Sequence, residues 1–140
     1  MNLSKNFTLE EFTFSQTAAR KGIDNDPPAS MLDTLKRTAE GMEKVRALLG
    51  VPIKITSAYR CLSLNAAIGS KNTSQHTKGE AVDFTCAVGD PKSIVARIMA
   101  SSIPFDQLIC EFDSWTHVSF SNNNRRQVLT IDSNGTRNFS

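Results

Sequence analysis

Two short segments contain the residues best suited to chemistry, because they hold the only two histidines of the chain. His76 lies in "SQHTKGEAVDF", residues 74–84, and His117 lies in "SWTHVSF", residues 114–120. The first segment also contains Asp83, which ends an alternating run typical of a β-strand. Two imidazole nitrogens and one carboxylate oxygen are a common ligand set of catalytic zinc. The first question is therefore whether these three side chains can meet.

Because side chains alternate along a strand, Asp83 and His117 are each predicted to lie on the polar face of a strand. In an extended "AVDFT", Asp83 points away from Val82 and Phe84, which face an apolar layer. In "WTHVSF", His117 shares one face with Trp115, so it too can point out of the core. If the two strands are neighbours, Asp83 and His117 converge.

His76 has to approach the same point from the loop that precedes the first strand. Gly79 allows the tight backbone turn that swings this loop over the start of the strand. The alternative for each residue is structural: a lone histidine is usually solvated or hydrogen-bonded, and an aspartate in this position often caps a strand end. Spacing alone leaves both interpretations open.

The elements that position these residues follow from hydrophobic periodicity and from turn and cap residues. Residues 1–50 are predicted as a helical N-terminal part, 51–121 as the sheet region of the site, and 122–140 as a tail that frays after one strand. Predicted helices cover 7–12, 15–23, 31–49, 62–69 and 91–101. Thr8, with Glu11 three residues later, is the predicted cap of the first helix, and Asp90 that of the last. Predicted strands cover 52–59, 80–85, 106–112, 115–120 and 127–131. This order predicts an α+β fold in a single domain, residues 1–140.

Composition excludes several classes of function. A chain of 140 residues with 39% hydrophobic residues and a net charge of +2 is typical of one soluble domain. The basic residues are scattered, and "NNNRR" at 122–126 is interpreted as a solvated loop, so nucleic acid is not expected as a partner. Three cysteines without a CxxC spacing predict reduced thiols. Neither a signal peptide nor a membrane anchor is evident, which favours synthesis in a cytoplasm.

The run Ser74, His76, Gly79, Ala81, Asp83 matches S-x-H-x-x-G-x-A-x-D, and with "WTHVSF" downstream it resembles the M15 family of zinc peptidases. These enzymes are D-Ala-D-Ala carboxypeptidase-like. The opening segment "NFTLEEFTFSQTAARKGIDN", "ITSAYR" and "FDQLICEF" are similar to the branch common in phage and prophage cell-wall enzymes. The resemblance implies a hedgehog-like α+β fold, with a small, mostly antiparallel sheet packed on helices. It also implies zinc bound by His76, Asp83 and His117, and a peptidoglycan stem peptide as substrate. It also implies action on the cell wall after release from the host cytoplasm, or as part of a phage particle.

The sequence offers two candidates for the catalytic base, because the chain departs from the family pattern. Many relatives place a glutamate three residues before the last histidine, where this chain has Ser114. Glu111 is the preferred candidate, and Asp113 is the alternative. Glu111 reaches the face of His117 only if the connecting loop has three or five residues, whereas a two-residue turn would point it away.

Four further residues are predicted to serve the substrate. By the resemblance, Arg60 binds a substrate carboxylate or stabilises the oxyanion, with a surface arginine as the alternative. Ser74, Trp115 and Tyr59 are candidates for contacts in the cleft, although either aromatic could equally pack in the core. The protein is expected to be a monomer.

Two other classes of function remain open. One is a non-catalytic hedgehog-like module that keeps its metal but has lost its base, and Glu111 argues against this class. The other is a structural phage component that carries the same fold to the wall. The sequence does not distinguish a carboxypeptidase from an endopeptidase.

Overall fold

The fold is described from a computed structural model that covers residues 1–140. It is an α+β fold, as predicted. Five α-helices precede or separate the strands, and they are α1 (Leu9–Thr13), α2 (Gln16–Lys21), α3 (Leu32–Leu49), α4 (Leu62–Ile68) and α5 (Pro91–Ala100). Two short 3-10 helices cover Ala29–Met31 and Gln75–Lys78. No helix combines the length and apolar composition that crossing a membrane requires.

Six strands form one sheet in the order β1-β2-β4-β3-β5-β6. The strands are β1 (Ile53–Ser57), β2 (Ala81–Cys86), β3 (Gln107–Glu111), β4 (Trp115–Ser119), β5 (Gln127–Asp132) and β6 (Gly135–Asn138). All neighbouring pairs are antiparallel except β3 and β5, which run parallel. The prediction of a mostly antiparallel sheet is therefore confirmed.

Helix ends form where cap residues predict them. Thr8 and Glu11 make a reciprocal capping box at the start of α1. The side chain of Asp90 accepts a hydrogen bond from the Ser93 N–H, and Pro91 occupies the first turn of α5. Gly50 ends α3 in the left-handed conformation, with φ of 74°.

One face of the sheet packs against helices and builds the main core. Alternate residues of the central strands, among them Val82, Phe84, Leu108 and Val118, are completely buried there. They join the buried apolar residues of α3 and α5 in one cluster. The opposite face of the same strands is left for polar side chains.

The C-terminal region is more ordered than predicted. Strand β5 forms where it was expected, but the chain then turns at Ser133 and Asn134 and returns as β6 instead of fraying. Asp132 pairs with Gly135 across this two-residue turn. Gly135 follows the turn with φ of 104°, so a glycine supplies the left-handed residue that often follows a tight turn in a hairpin.

Candidate metal centre and active site

Asp83 and His117 face each other directly on neighbouring strands. Strands β2 and β4 pair antiparallel in a register that places these two residues opposite each other. Nδ1 of His117 lies 2.8 Å from Oδ1 of Asp83. Opposite residues of an antiparallel pair share a face, so strand pairing itself fixes this contact. The two side chains therefore meet, as predicted.

His76 enters from the 3-10 helix Gln75–Lys78, which precedes β2. The hydroxyl of Ser74 caps this helix by accepting the His76 N–H at 3.2 Å. Gly79 ends it with φ of +74°, a conformation that glycine adopts without strain. This turn brings Nε2 of His76 to 3.3 Å from Oδ2 of Asp83. Ser74 thus has an observed capping contact, while its contact with substrate stays a prediction.

A backbone carbonyl sets the protonation of the His76 ring. Nδ1 of His76 lies 2.6 Å from the carbonyl oxygen of Ala58. A carbonyl oxygen only accepts hydrogen bonds, so Nδ1 carries the proton and donates it. Nε2 is then left with its lone pair directed toward Asp83. Such a second hydrogen bond is the usual way in which a metal-binding histidine is oriented.

The three side chains fit a zinc ion by donor type and by spacing. One atom from each of His76, Asp83 and His117 lies within 4.8 Å of the other two. Tetrahedral zinc with bonds of ~2.0–2.1 Å separates its ligand atoms by ~3.3 Å. The contacts of 3.3 Å and 2.8 Å to Asp83 are close to this value. The set leaves a fourth tetrahedral position free of protein ligands, as in catalytic zinc sites.

Burial favours the protonation states that a metal ion needs. The exposed fractions of His76, Asp83 and His117 are 4%, 7% and 8%. Burial lowers the pKa of His76, which favours the neutral imidazole. Burial would raise the pKa of Asp83, but its interactions with His76 and His117 outweigh this and hold the pKa well below its usual range. A neutral imidazole and an ionised carboxylate are the forms that bind metal.

Glu111 lies on the same face as His117. It pairs with Trp115 across a three-residue loop, Phe112–Ser114. The two-residue turn that would have pointed Glu111 away is therefore not formed. Oε1 of Glu111 lies 3.8 Å from Nδ1 of His117. Asp113, the alternative base, is exposed in the loop.

The environment of Glu111 favours a higher proton affinity than an exposed glutamate has. Its side chain is 18% exposed. Burial raises the pKa of Glu111, and the negative charge of Asp83 adds to the rise. A carboxylate whose pKa is shifted toward neutrality is suited to taking up and releasing a proton.

Arg60 is held beside Asp83 rather than on an open surface. Its Nη2 lies 3.5 Å from Oδ2 of Asp83, and its side chain is 11% exposed. Nε donates to the Ser57 hydroxyl at 3.1 Å, and Nη1 donates to Oδ1 of Asn65 at 3.2 Å. These contacts fix the guanidinium at the edge of the site.

The two predicted aromatic residues lie in different places. Trp115 is half-buried on the His117 face, and the centre of its ring lies 5.6 Å from the centre of the Phe112 ring. Its indole N–H is buried without a hydrogen-bond partner in the protein. Tyr59 is 6% exposed and packs in the main core, so the structure does not bring its side chain into the site.

A polar cleft opens beside His117. Its volume is about 760 Å³, and it extends over β3 and β5 toward β6. Lys71, before the 3-10 helix of His76, and Lys78, at the end of that helix, line the cleft, and the β4–β5 connection contributes Arg125. The cleft is large enough for several residues of a peptide and offers positive charge.

Three contacts of the site are absent from the sequence interpretation. They are the Ala58 carbonyl, the buried Asn65 beside Arg60, and Asp106, which accepts hydrogen bonds from Gln75 at 2.8 Å and from Arg125. Backbone carbonyls leave no sequence signal. Asn65 leaves a weak one, because it interrupts the apolar face of "LSLNAAI".

The comparison with known proteins rests on a family model. No curated protein matches the chain. The model of the peptidase M15 family matches residues 5–119, which include the proposed metal ligands, Glu111 and Arg60. The chain belongs to the peptidase M15 family.

Proposed function

We propose that this protein is a zinc-dependent peptidase that cleaves peptide bonds in the stem peptides of peptidoglycan. Membership in the peptidase M15 family supports a peptidase acting on cell-wall peptides. The observation that carries the zinc dependence is the meeting of His76, Asp83 and His117 in one buried cluster, with Glu111 at its edge.

The two histidines would bind the metal through different ring nitrogens. His76 would bind through Nε2, because its Nδ1 is committed to the Ala58 carbonyl. His117 would bind through Nδ1, the atom that faces Asp83. When bound, a zinc ion supplies Lewis acidity that polarises a peptide carbonyl and acidifies water.

Glu111 is the proposed general base. It would take a proton from the attacking water at a carboxylate oxygen and deliver it to the leaving amine. Its half-buried position and its raised pKa both favour this exchange. The position of Glu111 beside His117 supports catalysis, so a metal-binding module without activity is the less favoured alternative.

Arg60 is the proposed electrostatic partner of the substrate. Its guanidinium is held by Ser57 and Asn65, so it presents a fixed positive charge next to Asp83. A fixed cation can stabilise the charge that develops on a peptide oxygen, or it can bind a substrate carboxylate. Its short connection to the site makes Arg60→Ala a useful partner in double-mutant experiments.

Contacts with the rest of the substrate are proposed for the cleft beside His117. Trp115 is the proposed aromatic contact, because it lies on the same strand face as His117, next to this cleft although not in its lining. Ser74 lines the same cleft as His117 and keeps its proposed place in substrate binding. A contact through Tyr59 would require its ring to leave the core.

The biological setting completes the proposal. We infer a hedgehog-like fold, with residues 1–140 acting as one monomeric peptidase domain of phage or prophage origin. Its action on the cell wall would follow release from the host cytoplasm or delivery by a phage particle. A structural phage component is the alternative, and digestion of peptidoglycan distinguishes the two.

Metal content and wall digestion test the proposal together. Protein purified without a histidine tag is expected to contain one zinc and to release peptide fragments from peptidoglycan, whose masses identify the bond. His76→Ala should lose the zinc and the activity, whereas Lys36→Ala, at an exposed position of α3 outside the cleft, should keep both. Stoichiometric zinc in His76→Ala would place the metal elsewhere.

A further inference from the structure

Asn25 is a buried residue outside the site whose amide is fully used. It lies between α2 and α3 and is 8% exposed. Its Oδ1 accepts the Cys61 N–H at 2.8 Å. Its Nδ2 donates to the carbonyl oxygens of Thr13 at 2.9 Å and Tyr59 at 3.0 Å. One amide thus connects the N-terminal helices to the backbone on both sides of Arg60.

The Ala58–Cys61 segment, to which Asn25 is hydrogen-bonded, also makes two hydrogen bonds with His76. The carbonyl of Ala58 accepts from Nδ1 of His76 at 2.6 Å. The Arg60 N–H donates to the carbonyl of His76 at 3.1 Å. The segment therefore carries Arg60 and also orients the His76 ring.

We propose that Asn25 is a positioning residue of the site, which fixes the Ala58–Cys61 segment and thereby places both Arg60 and the His76 imidazole. The inference rests on the proposed function. It goes further by assigning a role to the "GIDN" part of the N-terminal region, residues 22–25, which contributes no group to the cleft.

Only an amide side chain of this length satisfies the three backbone groups. The Cys61 N–H needs an acceptor, and the Thr13 and Tyr59 carbonyls need donors. Asparagine offers both from one planar group, whereas aspartate offers only acceptors when ionised. Because buried backbone groups seldom lack partners, loss of Asn25 should shift the segment until water or other groups satisfy them.

The matched control is Glu43 on α3, which holds the N-terminal region by hydrogen bonds to other residues. Its carboxylate accepts hydrogen bonds from the Ser4 hydroxyl and from the backbone and side-chain nitrogens of Asn6. Asn25→Ala and Glu43→Ala each remove three hydrogen bonds, and each variant loses at least one to the region before α2. Only Asn25→Ala frees the Ala58–Cys61 segment.

The test compares zinc affinity, steady-state kinetics and backbone exchange in the two variants. Asn25→Ala is expected to lower kcat/KM on muropeptides by ~10- to 100-fold, because small misplacements of a site are costly. Zinc affinity, measured in competition with a chelator, should weaken by about tenfold. This is the lower end of the range seen when a residue that orients a metal ligand is replaced. Amide hydrogens of the Ala58–Cys61 segment should exchange faster. Glu43→Ala should stay within about threefold of the parent in each readout, because the hydrogen bonds of Glu43 reach Ser4 and Asn6 and not the groups that orient the histidines.

A double-mutant cycle separates positioning from general loosening. In an Arg60→Ala background, Asn25→Ala should cause a much smaller further loss of kcat/KM than it does alone, because coupled residues are not additive. Full additivity, or an equal loss in Glu43→Ala, would overturn the proposal. If Asn25→Ala does not fold, Asn25→Asp replaces it in the test, because aspartate keeps the acceptor for the Cys61 N–H. Zinc affinity and amide exchange equal to those of the parent in Asn25→Asp would also overturn the proposal.

The readouts distinguish failure of this inference from failure of the proposed function. If the parent cleaves no muropeptide, the proposed function fails. Zinc affinity and amide exchange still test the role of Asn25 in that case. If the parent is active and Asn25→Ala matches Glu43→Ala, only the inference fails.

Discussion

Consecutive residues of β2 occupy two chemically different environments, although a single peptide bond separates them. Phe84 is completely buried in the apolar core. Asp83 lies on the opposite face, within 3.5 Å of Arg60, His76 and His117. Apolar burial is non-directional and scales with area, whereas the contacts of Asp83 depend on defined distances and protonation states. The two faces should therefore fail in different ways when they are altered.

The largest expected difference is between Asp83→Asn and Leu108→Ala, one change on each face. Asp83→Asn keeps the shape but removes the charge, so zinc and peptidase activity should both be lost, at a cost of ~1–2 kcal/mol in the free energy of unfolding. Leu108→Ala should cost ~2–5 kcal/mol yet keep stoichiometric zinc. Metal analysis and urea unfolding of both variants provide the measurement. Loss of zinc from folded Leu108→Ala would show that the faces are not separable.

A second comparison divides the β3–β4 hairpin into its strand end and its loop. Glu111→Gln should bind zinc normally and cleave muropeptides ~10²- to 10⁴-fold more slowly, because glutamine cannot accept the proton. Asp113→Asn should stay within a few fold of the parent. If the Asp113 variant is inactive and the Glu111 variant is active, the base is Asp113 in the loop. The position of Glu111 on the face of His117 would then have no catalytic role.

The smallest expected effect concerns Asp106, at the rim of the cleft. Hydrogen bonds from Arg125 lower its pKa to about 2, even though burial opposes the shift. A carboxylate whose pKa is lowered in the folded state stabilises the fold above its unfolded pKa of ~3.9 and loses that effect as the pH falls toward 2.

Asp106→Asn should therefore lower the free energy of unfolding by ~1 kcal/mol at pH 7, a modest value because Arg125 is largely in solvent. The difference from the parent should shrink as the pH falls from 5 to 2. Urea unfolding at a series of pH values measures it. A difference that is constant over this range would mean that the amide replacement acts through packing and not through charge.

The sequence predicts the centre of the site well because two-residue periodicity is a strict rule. Alternation in β2 and β4 put Asp83 and His117 on the polar faces, and antiparallel pairing brought them together. Cap residues likewise predicted the start of α1 at Thr8 and of α5 at Asp90. In each case the signal is local, and a few neighbouring residues carry it.

The remaining features depend on contacts between distant segments or on unusual backbone. Phe112 and Asp113 have φ of 53° and 50°, so the loop uses left-handed residues without glycine or asparagine, and its length could not be predicted. The tautomer of His76 depends on a carbonyl 18 residues earlier in the chain. Asn25 acts on a segment beginning 33 residues later, which no local pattern reveals.

The order of the strands has a consequence for aggregation. The site strands β2, β4 and β3 are interior, so β1 and β6 form the two open edges of the sheet. Open edges can pair with strands of other molecules unless charges oppose it. Exposed Lys54 lies on one edge, and exposed Arg137 lies on the other in an ion pair with Asp132. A strand that docked on either edge would have to desolvate one of these charges, so the sheet resists growth into edge-to-edge aggregates.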